Sequence, residues 1–233
     1  KWVDVPELVF FSGGVNRVAI EETLRNFEER EGVRISRIYN GCGILTAQIR
    51  AGQKPDGYFA CDVSFMRTVA DGFRPSIRMA ETSMVIATQP GNPRGLHTIA
   101  DLGRSGLKIG VANEEQSALG ALTARLLRGQ NLFDQVMANV VVQTPTADLL
   151  VNQLRAGGLD AVVVYEANTV AAGDQIQVLP IDLPGATAIQ PIAIRNDTEF
   201  PRLMERLLEA LRSTESKTRF TLNGFRWHGD MQP

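Results

Sequence analysis

Leu8-Val9-Phe10-Phe11, closed by Ser12-Gly13-Gly14, reads as a buried strand running into a glycine turn. The helix and strands after it decide the fold. Ile20, Leu24 and Phe27 recur at helical spacing, with Glu21, Glu22, Arg25, Glu28 and Glu29 on the other side. Gly32 stands where a helix commonly ends. Val33 to Tyr39 is a second strand, Asn40-Gly41-Cys42-Gly43 the next turn, and Ile44 to Ala51 a second helix closed by Gly52. The turn Pro55-Asp56-Gly57 leads to a third strand, Tyr58 to Cys61. Strands alternating with helices call for a parallel sheet covered on both faces.

The alternation restarts downstream. Met84 to Thr88, Lys108 to Val111, Val140 to Val142 and Ala161 to Val164 read as strands, the last delivering Tyr165. Between them lie a helix with Leu119, Leu122 and Leu126 on one stripe and another from Ala147 to Ala156 that ends at Gly157-Gly158. Near the end, Phe200, Leu203, Met204, Leu207, Leu208 and Leu211 make a strongly amphipathic helix. The expected class is therefore α/β, with two doubly wound units, one before about residue 83 and one after it.

Bulk composition excludes several roles. The 233 residues are 44% apolar and 21% charged, ordinary for a globular chain long enough for two small cores. A net charge of -2 gives no basic footprint for nucleic acid. No apolar run approaches the roughly 18 residues needed to span a bilayer. Lys1-Trp2-Val3-Asp4 carries no signal-peptide pattern and reads either as a mature start or as a cut within a longer chain. The two cysteines and two histidines fit no zinc spacing, so neither a metal nor a cofactor is expected.

Ligands of such sheets sit beyond the carboxyl ends of the parallel strands. That singles out Ser12–Asn16, Asn40–Gly43, Cys61–Asp62, Ala112–Ser117, Thr144–Ala147 and Tyr165–Glu166. Several of these turns open a helix, where free backbone N–H groups and a positive partial charge favour an anion.

With these turns in place, the chain resembles the molybdate-binding receptors of bacterial ABC transporters, which have the type 2 periplasmic binding-protein fold. The stretches that carry the resemblance are Phe11 through Phe27-Glu28 to Gly32; Gly41-Cys42-Gly43 with Leu45, Gln48-Ile49 and Ala51-Gly52; and Asp56, Asp62 and Met66. Further on come Lys108-Ile109-Gly110 with a helix from Ser117, Leu154 and Gly157 leading to Asp160 and Val164-Tyr165, and Gly224-Phe225. Each motif is weak; their order and spacing, over about residues 8 to 226, are specific. The resemblance implies one lobe of residues 1–83 plus 193–233 and another of 84–192. They would be joined by hinge strands Met84–Thr88 and Ile189–Ile194, with a ligand cleft between the lobes that closes on binding. It implies a non-enzyme in the periplasm or another extracytoplasmic space, a monomer with an ABC transporter permease as partner and a small oxyanion as ligand.

Residue by residue, the resemblance carries the family's first-strand pocket serine to Val15 and its second to Cys42. The donor opening the second-lobe helix falls near Ser117, the next at about Ala147, and the pocket tyrosine at Tyr165. Val15 has no side-chain donor, though its N–H remains and Ser12 or Asn16 can substitute. Cys42 offers only a weak S–H. The alternatives to an oxyanion are a metal ion or a small organic anion, or a ligand-sensing module of a larger membrane-associated protein.

Several residues admit more than one reading. Cys42 and Cys61 stand at neighbouring strand ends and can be a disulfide, two free thiols or a thiolate ligand site. The glycines at 13 and 14 can give a ligand room or simply make a tight turn. They lack the lysine and hydroxyl residue of a P-loop. Asp62 reads better as a helix N-cap than as a pocket acceptor. Arg17 reads as a solvated helix residue, with a lesser reading as positive charge for an anion. Glu166 would repel an anion if it faced one. As an enzyme, Cys42 would need a histidine base, and nothing brings His97 or His228 to it.

Overall fold

A computed structural model describes residues 5–230. The reading of Lys1-Trp2-Val3-Asp4 as a mature start or a cut lies outside the described residues. The opening apolar run is strand β1 (Glu7–Gly13), with Leu8 and Phe10 fully buried. Helix α1 (Arg17–Glu31) buries Ala19, Ile20, Thr23, Leu24 and Phe27. Burying its larger apolar side chains contributes about 2 kcal/mol each. The helix ends at Gly32, whose φ of 65° suits a residue without a Cβ and whose N–H reaches the Glu28 carbonyl. Next come strand β2 (Arg34–Asn40), helix α2 (Cys42–Arg50), strand β3 (Gly57–Phe59) and the short helix α3 (Val63–Arg67). Strand β4 (Ile77–Thr88) completes this stretch.

The second alternation comprises β5 (Ile109–Ala112), α4 (Ala118–Gly129), α5 (Phe133–Met137), β6 (Val140–Thr144), α6 (Ala147–Arg155), β7 (Ala161–Tyr165) and β8 (Gln177–Pro180). The chain then runs through β9 (Thr187–Ile194), α7 (Pro201–Leu211), α8 (Thr214–Leu222) and β10 (Arg226–Trp227). It divides into two compact units, residues 1–81 with 189–233 and residues 82–188. The chain passes from one to the other inside β4 and returns inside β9.

In the first unit the strand order is β2-β1-β3-β9. β1 pairs in parallel with β2 and β3, and β9 runs antiparallel to β3. α7 and α8 both pack against α1. In the second unit the order is β4-β7-β5-β6, with β5 parallel to β6 and β7 and with β4 antiparallel to β7. The α/β class expected from the alternation is what the structure shows.

Some boundaries differ from the sequence reading. β4 begins at Ile77, seven positions before the apolar run that marks it, because Arg78 and Glu81 interrupt the hydrophobic pattern. β3 ends at Phe59, so Cys61 belongs to the turn after it. The helix that Asp62 caps, α3, is short and ends at Arg67, and a separate 3-10 turn occupies Ala70–Gly72.

Candidate functional site

Parallel pairing brings the carboxyl ends of β1, β2 and β3 together in the first unit. Ser12 is in register with Tyr39 and with Phe59, and Gly13 with Asn40. The turns at Gly14–Asn16, Gly41 and Ala60–Asp62 therefore cluster at one end of the sheet.

Asn16 ties that cluster. It is fully buried, and its Nδ2 donates to the carbonyls of Phe59 at 3.2 Å and Ala60 at 3.3 Å, with Ser12 Oγ at 3.4 Å. Its Oδ1 has no hydrogen-bond partner among the described residues. Ser12 Oγ donates to the Gly13 carbonyl at 3.1 Å. Both candidates thus hold the loop ends in place with their own side chains. Val15 is buried.

The thiols of Cys42 and Cys61 are free, buried and share a hydrogen bond, with the sulfurs 2.8 Å apart. The Cys61 N–H also donates to Cys42 Sγ at 3.0 Å. Burial by itself pushes the Cys42 thiol up, but its contacts with the Cys61 thiol and N–H, with the Tyr58 hydroxyl nearby, hold it below the usual thiol range. The same contact, with burial, pushes the Cys61 thiol well above that range.

Around this end stand groups that do not enter it. Asp62 caps α3, accepting from the Ser64 N–H at 2.9 Å. Arg17 is exposed and lies over the Tyr39 ring, 5.3 Å from its centroid. Burial, with the Glu21 carboxylate that accepts its proton, pushes the Tyr39 phenol far above its usual range.

In the second unit Ala112 is in register with Thr144, so β5 and β6 end side by side. Ser117 is buried as the N-cap of α4. Its N–H donates to the Asn113 carbonyl at 3.0 Å, and its side chain makes no capping bond. The N–H groups of Glu115 and Gln116 both go to Asn113 Oδ1 at 3.0 Å. Gly120 lets α4 sit on the strand end: a Cβ there would lie 2.1 Å from the Asn113 carbonyl oxygen. Ala147 opens α6, whose N-cap Thr146 also makes no side-chain cap. Tyr165 is buried at the end of β7, and its N–H donates to Asn168 Oδ1 at 3.3 Å. Glu166 is exposed.

The helix starts fall into two groups. α3 and α8 are capped by Asp62 and Ser213, and the 3-10 turn at Ile99–Gly103 carries a capping box of Thr98 and Asp101. α1, α2, α4, α5, α6 and α7 have no side-chain cap; of these, α2, α4 and α6 open beyond the ends of the parallel strands β2, β5 and β6. Backbone N–H groups of a first turn need an acceptor from outside the helix. Where the protein supplies none, an anion is the natural one.

Sequence reasoning placed these strand ends but missed Tyr58 and Gln190, and left the role of Gly13 open. Gln190 Nε2 donates to the Cys61 carbonyl at 3.0 Å. A glutamine inside the apolar stretch Ala188–Ile194 was the available signal. Nothing in the sequence marks Tyr58. Among the described residues no group of three His, Cys, Asp or Glu side chains is placed to hold a metal ion.

The chain is similar to known proteins in sequence and in fold. Residues 8–226 match the family described as bacterial extracellular solute-binding protein. The molybdate-binding protein ModA of Mycobacterium tuberculosis is 23% identical over 199 residues, which cover 83% of this chain and 74% of that protein. The periplasmic molybdate-binding protein of Azotobacter vinelandii superposes with a TM-score of 0.80 at 17% identity, covering 95% of this chain and 99% of that one. The sulfate-binding protein SubI of Mycobacterium tuberculosis also gives 0.80, at 14% identity, covering 95% and 87%.

Proposed function

The chain belongs to the bacterial extracellular solute-binding proteins, and from that premise we propose that it captures a small tetrahedral oxyanion, of the molybdate, tungstate or sulfate type, for an ABC transporter. Relatives in sequence and fold are named for molybdate and sulfate. The observation that carries the reading is that α2, α4 and α6 open beyond the ends of parallel strands with no side-chain cap on their first turns. The donors it relies on are backbone N–H groups opening α2 in the first unit, and α4 and α6 in the second. Such donors neutralise a small anion without a fixed lysine or arginine. Among the described residues no helix is long and apolar enough to cross a membrane, which suits a receptor that delivers its ligand to a separate permease.

Thermal unfolding with molybdate, tungstate, sulfate, phosphate and divalent metal salts, each with and without reductant, tests the proposal. An oxyanion at 100 times its dissociation constant stabilises the protein by about 2.7 kcal/mol. A shift with an oxyanion and none with the metals is the expected result. Stabilisation by metals alone, or by none of these, overturns it.

A further inference from the structure

Cys42 and Cys61 are 19 positions apart in the chain and meet in the core of the first unit. Cys42 arrives as the first residue of α2, and Cys61 from the turn after β3. Gly13 makes the meeting possible. A Cβ on it would come within 2.0 Å of the Cys61 sulfur and 3.0 Å of the Cys42 sulfur, so any other residue would push the pair aside. The backbone N–H of Cys61 donates to the Cys42 sulfur and holds it in place. No third metal-binding side chain joins them among the described residues, so the arrangement favours sulfur–sulfur chemistry over a metal.

We propose that Cys42 and Cys61 are a reversible dithiol–disulfide pair that staples the start of α2 to the turn after β3. The oxidant is an external small-molecule disulfide. The Cys42 thiolate attacks one of its sulfurs, giving a mixed disulfide and releasing one thiol. Cys61 then loses its proton and displaces the second thiol as the Cys42–Cys61 bond forms. Two protons and two electrons leave the protein, and the external S–S bond becomes two thiols. Cys42 is fully buried, so exchange requires local opening of the Gly41–Gly43 turn. The oxidised pair has no S–H to donate, so the two states present different donors at this end of the sheet.

The test needs no ligand and is independent of which anion is bound. The full chain is incubated with oxidised glutathione, alkylated under denaturing conditions and digested. The expected product is a Cys42–Cys61 cross-linked peptide, lighter by two hydrogens than the reduced pair and returned to two alkylated cysteines by dithiothreitol. Closing a loop of this size raises the melting temperature by roughly 5 °C or more, reversibly with reductant. Cys61→Ser loses both the cross-link and the shift. Alkylation of both cysteines after oxidation, or a separate glutathione adduct on each, overturns the proposal. If Cys61→Ser does not fold, the peptide map of the unmodified chain decides alone.

Discussion

The two units end their parallel strands in different ways. In the first, Ser12, Asn16, Cys42 and Cys61 bind one another and the loop carbonyls, so the strand ends are tied by side chains. In the second, Ser117 and Ala147 open helices without a side-chain cap, and the side-chain ties lie in the loops, where Asn113 accepts from the Glu115 and Gln116 N–H groups and Asn168 from that of Tyr165. Both rely on a glycine for close packing, but on different obstacles. Gly13 faces a sulfur, the end of a side chain, whereas Gly120 faces a backbone carbonyl. The first arrangement is specific chemistry that substitution can undo. In the second, only the helix starts themselves are left without a side-chain bond.

The sharpest way to break that comparison is to fill both glycines. Gly120→Ala should cost about 3 kcal/mol, and no neighbouring side-chain change should recover it, because the carbonyl it strikes is backbone. Gly13→Ala should cost about 2 kcal/mol, and most of that should vanish in a Cys61→Ala background, where the obstructing sulfur is gone. Denaturant unfolding of these variants, with Cys61→Ala alone as the reference, reads the coupling. Equal penalties with and without Cys61 would show that the sulfur is not the obstacle.

Asn16→Ala comes next. It strips the donor from the Phe59 and Ala60 carbonyls, both buried, and should destabilise the first unit by about 1–3 kcal/mol. Amide exchange should rise first in the turns after β1 and β3. Exchange confined to the second unit would place the tie elsewhere.

Helix starts give a smaller contrast. Asp62→Ala removes a capping bond and should cost about 1 kcal/mol. Ser117→Ala removes no capping bond and should change stability by less than about 0.5 kcal/mol. Chemical unfolding of the two variants side by side measures the difference.

The smallest effect is one of pH, and it falls on the second unit. The His97 and Thr98 N–H groups hold the Asp101 carboxyl below its usual range. Burial pushes the Asp160 carboxyl up, but Arg94 and the Lys108 N–H outweigh it and hold that group low as well. A carboxylate depressed in the folded state contributes stability that is complete above its unfolded pKa of about 3.9 and is lost as pH falls through the lower folded value. Asp101→Asn should lower the melting temperature slightly at neutral pH and flatten the acid limb below about pH 4, so that the two profiles converge in acid.

Much of the fold is legible in the residues, for identifiable reasons. β1 and α1 announce themselves because Leu8, Phe10, Ile20, Leu24 and Phe27 are all buried, so sequence pattern and burial coincide. α8 escapes because its sequence, Thr214 to Leu222, is polar and only Ser216 and Phe220 are buried, leaving no stripe to read. β8 and β10 escape through brevity. The strand ends carrying the candidate site come from strand–helix alternation alone. What they do with their side chains does not. That Gly13 makes room for a sulfur, rather than for a ligand, depends on where Cys61 lands after a turn, and no spacing rule supplies that.

The passage of the chain through β4 and back through β9 has a consequence for synthesis. Residues 82–188 form one uninterrupted stretch, so the second unit has all its parts as soon as that stretch leaves the ribosome. The first unit does not. β3 waits for β9, and α1 waits for α7 and α8, which are made more than a hundred residues later. Domains fold as units during translation. Here the unit that is begun first is completed last, and until then it exposes the apolar face of α1 and the unpaired edge of β3 to whatever chaperones meet the nascent chain.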